Sequence, residues 1–190
     1  MEIPTQEQYR QGYPTITFSD RMTLKIGAHT FQIMLLPGHT AGQTSVYVPE
    51  EKVLFASDNV SSMGGASMHD AKPYKWLESL QYMKRLDVDC IATGHGDVIT
   101  SDPESYIDQQ ASAVRARIEV VEKAKAEGTR VGELAEQWDE IFPPSPRPAS
   151  EGFTITRKTK SDSSGKATSR GNALYTLNHL YQVIGGNNGS

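Results

Sequence analysis

The chain contains a single cysteine, Cys90, which excludes an internal disulfide and a metal site built from several thiolates. Long apolar runs are missing as well. No stretch approaches the roughly 18 apolar residues of a membrane-spanning helix, and residues 1–11 are polar, without the apolar core of a signal peptide. No excess of one charge is present: 19 Lys+Arg face 23 Asp+Glu, a formal net charge of −4. That balance argues against a surface built throughout for nucleic acid or anionic lipid. Apolar supply is thin, with Val, Ile, Leu and Phe making 38 of 190 residues. Disorder of the whole chain would also require a large net charge. The composition therefore predicts a folded, cytoplasmic protein with no membrane attachment, one domain plus an appendage, and some unstructured parts.

Against these absences stands a clear change of period along the chain. Residues 1–14 carry no pattern and read as a leader. Short β-like runs follow at 16–18, 22–26, 30–36, 43–48 and 52–56, the last two split by the turn Val48-Pro49-Glu50-Glu51. The nearly continuous apolar run at 31–36 predicts a strand buried on both faces. Residues 61–71 form a loop. Pro73 opens a helix whose apolar face is Trp76, Leu77, Leu80 and Met83, and 88–92 is a short strand in which Cys90 is expected to be an inert, buried hydrophobe. From Asp102-Pro103 the period is helical: a long helix to Gly128, a second carrying Val131, Leu134, Ala135, Trp138 and Ile141, then a last one over 172–184. There is no internal repeat. Between the second and last helices, residues 145–172 are rich in Ser, Pro, Gly and basic residues and are expected to be a disordered basic loop.

Three residues stand out by position. His39, Asp58 and His95 each fall just past the end of a predicted strand, in Leu35-Leu36-Pro37-Gly38-His39, Leu54-Phe55-Ala56-Ser57-Asp58 and Ile91-Ala92-Thr93-Gly94-His95. Loops at one sheet edge are where a rigid scaffold brings distant residues together. Two neutral imidazoles and a carboxylate suit Zn, Fe or Mn. Taken singly, such a His or Asp is ordinarily a surface residue, a turn or a cap; the joint order lifts the trio above that. Thr40 and Ser57 flank the ligands and are candidates to orient them by hydrogen bonds. His69, with Asp70 in the following loop, is a candidate substrate contact beside the plainer reading of a solvated loop. His29 and His179 read as structural or exposed.

The segments Leu36-Pro37-Gly38-His39-Thr40-Ala41-Gly42, Val53-Leu54-Phe55-Ala56-Ser57-Asp58 and Ala92-Thr93-Gly94-His95-Gly96, in that order, resemble the later motifs of the metallo-β-lactamase superfamily. The resemblance covers roughly residues 15–110. It implies that His39 binds a first metal, Asp58 bridges two and His95 binds the second. The helices after residue 103 resemble the extension of the β-lactamase-like protein 2 subgroup, which includes single-strand endoribonucleases and whose relatives act as thioesterases. The implied fold is α/β (α+β): the C-terminal half of a four-layer αββα sandwich over 15–127, followed by a helical extension over 128–190.

One departure accompanies the match. The family's first motif, His-x-His-x-Asp-His, is absent; the five histidines are 29, 39, 69, 95 and 179. The resemblance thus implies a metal-dependent hydrolase of ester, thioester, lactam or phosphodiester bonds, truncated and impaired when alone, with partial metal occupancy or none. Half a sandwich leaves one sheet face bare, so the chain is expected to pair with a second copy or with a separately encoded N-terminal half. The alternatives are a non-catalytic dimerisation or binding module, and an RNA-binding nuclease-like remnant using the basic 145–172 loop.

Overall fold

The computed structural model describes residues 12–63, 65–142 and 165–185. Five strands form one mixed sheet: β1 (Arg21–Ile26), β2 (His29–Leu35), β3 (Thr44–Val48), β4 (Val53–Ser57) and β5 (Cys90–Thr93). Spatial order equals chain order. The first four strands are an antiparallel meander, and β5 joins β4 in parallel. The crossover between them carries α1 (Pro73–Met83), as a parallel connection requires. After β5 come α2 (Pro103–Ala126), α3 (Val131–Ile141) and α4 (Gly165–Val183).

The helix limits follow from local chemistry. Pro73 and Pro103 occupy the first turns of α1 and α2, where a missing N–H is no loss. The Asp102 side chain accepts the Ser105 N–H at 3.3 Å, capping α2. Gly128, at φ +72°, takes the left-handed conformation that ends it. Ile107, Val114, Ile118 and Val121 are buried along one face of α2, as their spacing predicts.

Strand alternation gives the sheet two unlike faces. Met34, Tyr47, Leu54, Ala56 and Ile91 point to one side and are buried with Trp76, Leu80 and Met83 of α1. The same core continues through Val114 and Ile118 of α2, Leu134 of α3, and Leu177 and Leu180 of α4. The opposite face carries Met22, Leu24, Ile26, Phe31, Ile33, Leu35, Val46, Val53 and Phe55. Val48, paired with Val53 on this face, is buried, but none of the others is, and Leu24, Ile26 and Phe55 are exposed by 38%, 61% and 47%. No described element covers them.

Several expectations change. Residues 16–18 are not a strand: the β1–β2 ladder ends at Arg21↔Met34, so that run has no pairing partner. The 31–36 run is not buried on both faces, because its odd-numbered residues lie on the uncovered side. Cys90 lies on that side too and is half-buried rather than core. The last helix starts at Gly165, so 165–172 are helical; the rest of the basic segment, like residues 1–11 of the leader, lies outside the described residues. No described helix is long and apolar enough to cross a membrane.

Candidate metal centre

Strands β2, β4 and β5 run in the same direction, so their C-terminal ends share one sheet edge. His39, Asp58 and His95 project there, each from the residues that follow its strand. The edge is shaped by an irregularity: the β4–β5 register shifts between Phe55 and Ser57, and Ser57 has φ +51°, rare for a residue with a Cβ. Such a bulge re-aims the next side chain, and here the next side chain is Asp58.

Asp58 Oδ1 lies 3.4 Å from His95 Nε2. The Asp58 side chain is one-third exposed, whereas that of His95 is 74% exposed. Their closeness depends on Gly94. Its N–H donates to the Ser57 carbonyl at 2.8 Å, and a Cβ there would overlap Asp58 Oδ1. The His95 carbonyl is bracketed by Thr93 Oγ1 at 3.0 Å and Ser61 Oγ at 3.3 Å, and the Asp97 N–H donates to Ser62 Oγ at 2.6 Å.

His39 is fixed on three sides. Its backbone N–H donates to Asn59 Oδ1 at 3.0 Å, its ring Nδ1 donates to the Ser67 carbonyl at 3.0 Å, and its ring meets Trp76 edge-on at 5.8 Å between centroids. Commitment of Nδ1–H to a carbonyl sets the tautomer and leaves Nε2 as the free donor atom. Asn59 is fully buried. It donates to the Leu36 carbonyl at 2.7 Å and accepts Trp76 Nε1–H on its own carbonyl at 3.0 Å. This one residue therefore ties the end of β2, the end of β4 and α1 together.

Thr40 and Ser57 meet through a residue absent from the sequence-derived set. Thr40 Oγ1 donates to Gln43 Oε1 at 3.2 Å, and Gln43 Nε2 donates to Ser57 Oγ at 2.6 Å. Gln43 is buried. His69 makes its contacts with α4: its Nδ1 lies 2.7 Å from Thr176 Oγ1 and its ring 6.1 Å from Tyr175, fastening α4 to the 65–72 loop. His179 does the same, donating from Nε2 to the Ala71 carbonyl at 2.7 Å. His29 pairs with Glu51 at 2.8 Å, away from the edge.

The edge thus joins Asp58 to His95 directly and His39 to Asp58 through the adjacent Asn59. Among the described residues, no three His, Cys, Asp or Glu side chains converge as a ready-made metal cage. Residue spacing singled out the three ligand candidates but not Asn59, Gln43 or the contact of Trp76 with His39. Asn59 and Gln43 leave no such signal in the sequence, because each lies in a stretch of small and polar residues, Ser57-Asp58-Asn59-Val60-Ser61 and Ala41-Gly42-Gln43-Thr44-Ser45.

Residues 5–95 match the family model described as the metallo-beta-lactamase superfamily, in agreement with the resemblance carried by the three motifs. Hydroxyacylglutathione hydrolase of Bartonella henselae is 31% identical over 93 residues, covering 48% of this chain and 37% of that protein. The beta-lactamase-like protein 2 homolog of Caenorhabditis elegans is 31% identical over 107 residues, 55% of this chain and 36% of that protein. A solved metallo-beta-lactamase family protein from Thermus thermophilus superposes with a TM-score of 0.61 at 20% identity, over 93% of this chain and 51% of that one. The matches span little more than a third of these two curated relatives and about half of the solved structure.

Proposed function

We infer from the place of residues 5–95 in the metallo-β-lactamase superfamily that this chain supplies one wall of a metal-dependent hydrolase site, with His39, Asp58 and His95 as its metal ligands. The observation that carries this is the Asp58–His95 pair, held 3.4 Å apart at the edge where three parallel strands end. The donor set of imidazole and carboxylate fits a borderline divalent ion, zinc first and iron or manganese next. Two details support the fit: Nε2 of His39 is left free by the Ser67 contact, and Gly94 makes the close approach to Asp58 that no larger residue permits. A bound cation in such a site polarises the scissile group and acidifies a water.

The chain's own residues do the positioning. Ser67 holds the His39 ring in one tautomer, and Asn59 holds the His39 backbone beside Asp58. Gln43 locks the flanking Thr40 and Ser57 to each other, so that the loops after β2 and β4 move as one unit. The similarity to a hydroxyacylglutathione hydrolase favours an ester or thioester over a lactam or phosphodiester as the bond cleaved. Turnover by these 190 residues alone is weak or absent, because the His-x-His-x-Asp-His motif that completes the family's ligand set does not occur in them.

Elemental analysis of chain purified without chelator tests this. About one zinc, iron or manganese ion per chain is expected, reduced severalfold in His39→Ala and in Asp58→Asn while circular dichroism stays unchanged. A parent chain free of metal after incubation with each ion and desalting overturns the assignment.

The bare apolar face of the sheet favours a second reading, in which the half-sandwich is an assembly unit. That reading expects a dimer of this chain, or a complex with a separately encoded N-terminal half. Sedimentation showing a monomer that stays monomeric up to high concentration removes the dimer.

A further inference from the structure

A cavity of about 410 Å³ lies beside the Asp58–His95 pair, between the loop that follows β4 and the first two turns of α2. Ser61, Ser62 and Met63 line it from the loop, and Tyr106, Gln109 and Gln110 from the helix. It is joined to the candidate centre by hydrogen bonds: Ser61 donates to the His95 carbonyl, and Ser62 receives the Asp97 N–H. Gln110, itself buried, donates to the Gly65 carbonyl at 3.0 Å and fixes the loop on the helix.

The lining is polar without charge. Hydroxyls of Ser61, Ser62 and Tyr106 and the amides of Gln109 and Gln110 offer both donors and acceptors, while among the described residues no Lys, Arg, Asp, Glu or His contributes to the wall. Neutral dipoles of this kind, on half-buried walls with Gln110 buried at the back and Gln109 exposed at the rim, match a neutral hydrogen-bonding group. A carboxylate or phosphate would give up part of its water there with no cation among the described lining residues to pair with. The charge next door reinforces the preference. An adjoining depression on α2 is lined by Asp102, Glu104 and Asp108, and among the described residues one cation pairs with them: Lys84 binds Glu104 at 3.1 Å and Asp108 at 2.7 Å. Three carboxylates against one ammonium leave a negative field at the cavity mouth.

We propose that this cavity is the subsite for the non-reacting part of the substrate, and that it takes an uncharged, amide-bearing group in preference to an anionic one. The proposal rests on the hydrolase reading for what the subsite serves, but the binding it describes needs no metal. Tyr106 and Gln109, whose side chains face the cavity from α2, are the specificity-determining residues.

The probes are N-acetylglycylglycinamide and its free acid, N-acetylglycylglycine, titrated into the ¹⁵N-labelled full chain at low salt. The expected result is shift changes confined to residues 61–63 and 106–110, including the Gln109 and Gln110 side-chain amides, with the free acid binding more weakly. Tyr106→Phe and Gln109→Ala, each checked for an unchanged amide spectrum elsewhere, should weaken the amide probe by roughly threefold to tenfold, the factor one neutral hydrogen bond contributes. The titration is repeated on Asp58→Asn. Localised amide binding that persists there, with metal absent from the parent, upholds the subsite and removes the metal assignment. Metal binding without localised shifts, or a free acid that binds as tightly as the amide, overturns the subsite and leaves the metal centre standing.

Discussion

Asn59 holds more of the candidate centre together than any of the ligands it adjoins. Its side chain satisfies a donor and an acceptor of the buried backbone at once, the His39 N–H and the Leu36 carbonyl. Asn59→Ala leaves both unpaired, a loss of about 2–3 kcal/mol, to be read by urea unfolding as a lower midpoint with unchanged slope. Metal content should fall with it, since the His39 loop loses its anchor to Asp58. Gly94 acts by absence. A methyl there overlaps Asp58 Oδ1 and meets the Asp58 nitrogen at 2.8 Å, so Gly94→Ala must displace either the carboxylate or the β4 bulge. Overpacking of this kind costs about 1–3 kcal/mol; thermal unfolding and metal analysis of the variant should both register it.

At the scale of elements, three tyrosines tie stability to alkaline pH. Tyr47 on β3 is buried and donates to the Asp87 carbonyl at 2.7 Å, and burial, aided by the Asp87 charge, raises its pKa. Burial raises Tyr74 and Tyr181 as well, Tyr74 also through its bond to Glu122. A raised folded-state value means the neutral phenol is favoured in the fold. The stability it contributes is complete below the ordinary value of about 10 and is lost as pH rises through the folded-state value. Unfolding free energy followed from about pH 8 upward should therefore fall, and less steeply in Tyr47→Phe than in the parent. Most elements were legible in the sequence because their signals are local. Proline at the helix starts, Gly128 at an end, the 3.6-residue spacing in α2 and the Val48–Glu51 turn each depend on a few neighbouring residues. What escaped depends on partners distant in the chain. Residues 16–18 have strand composition but no ladder to join, and α4 extends seven residues further toward the N-terminus than its apolar pattern. The placement of His39, Asp58 and His95 just past strand ends was legible from local runs and glycines, whereas Asn59 and Gln43 acquire their contacts only once the ends of β2 and β4 reach the same edge.

For the whole molecule, the unlike faces of the sheet dominate solution behaviour. Leu24, Ile26 and Phe55, with their half-buried neighbours, make a continuous apolar surface without a cover among the described elements, the kind of patch that drives association. Ile26→Lys combined with Phe55→Lys alters exposed positions, so stability should change by no more than about 0.5 kcal/mol each. Binding of a hydrophobic dye should drop, and sedimentation should shift toward monomer. Unchanged association would place the contact elsewhere on the molecule.

The order of the strands also sets a timetable. Because β1 to β4 neighbour one another in space as they do along the chain, the meander can zip up hairpin by hairpin, each closure spanning few residues. The last helix is different. Its anchors, His69 to Thr176 and His179 to Ala71, join positions 107 and 108 residues apart, so they form only after a long-range search. Chain collapse should then run at several tempos, with an early meander that carries the His39 and Asp58 loops, a later docking of β5 with His95 across the α1 crossover, and a last arrival of α4 that clamps the 65–72 loop. The segment that shapes the His39 tautomer is thus the last part of the centre to be secured, and its fastening comes from the far end of the chain.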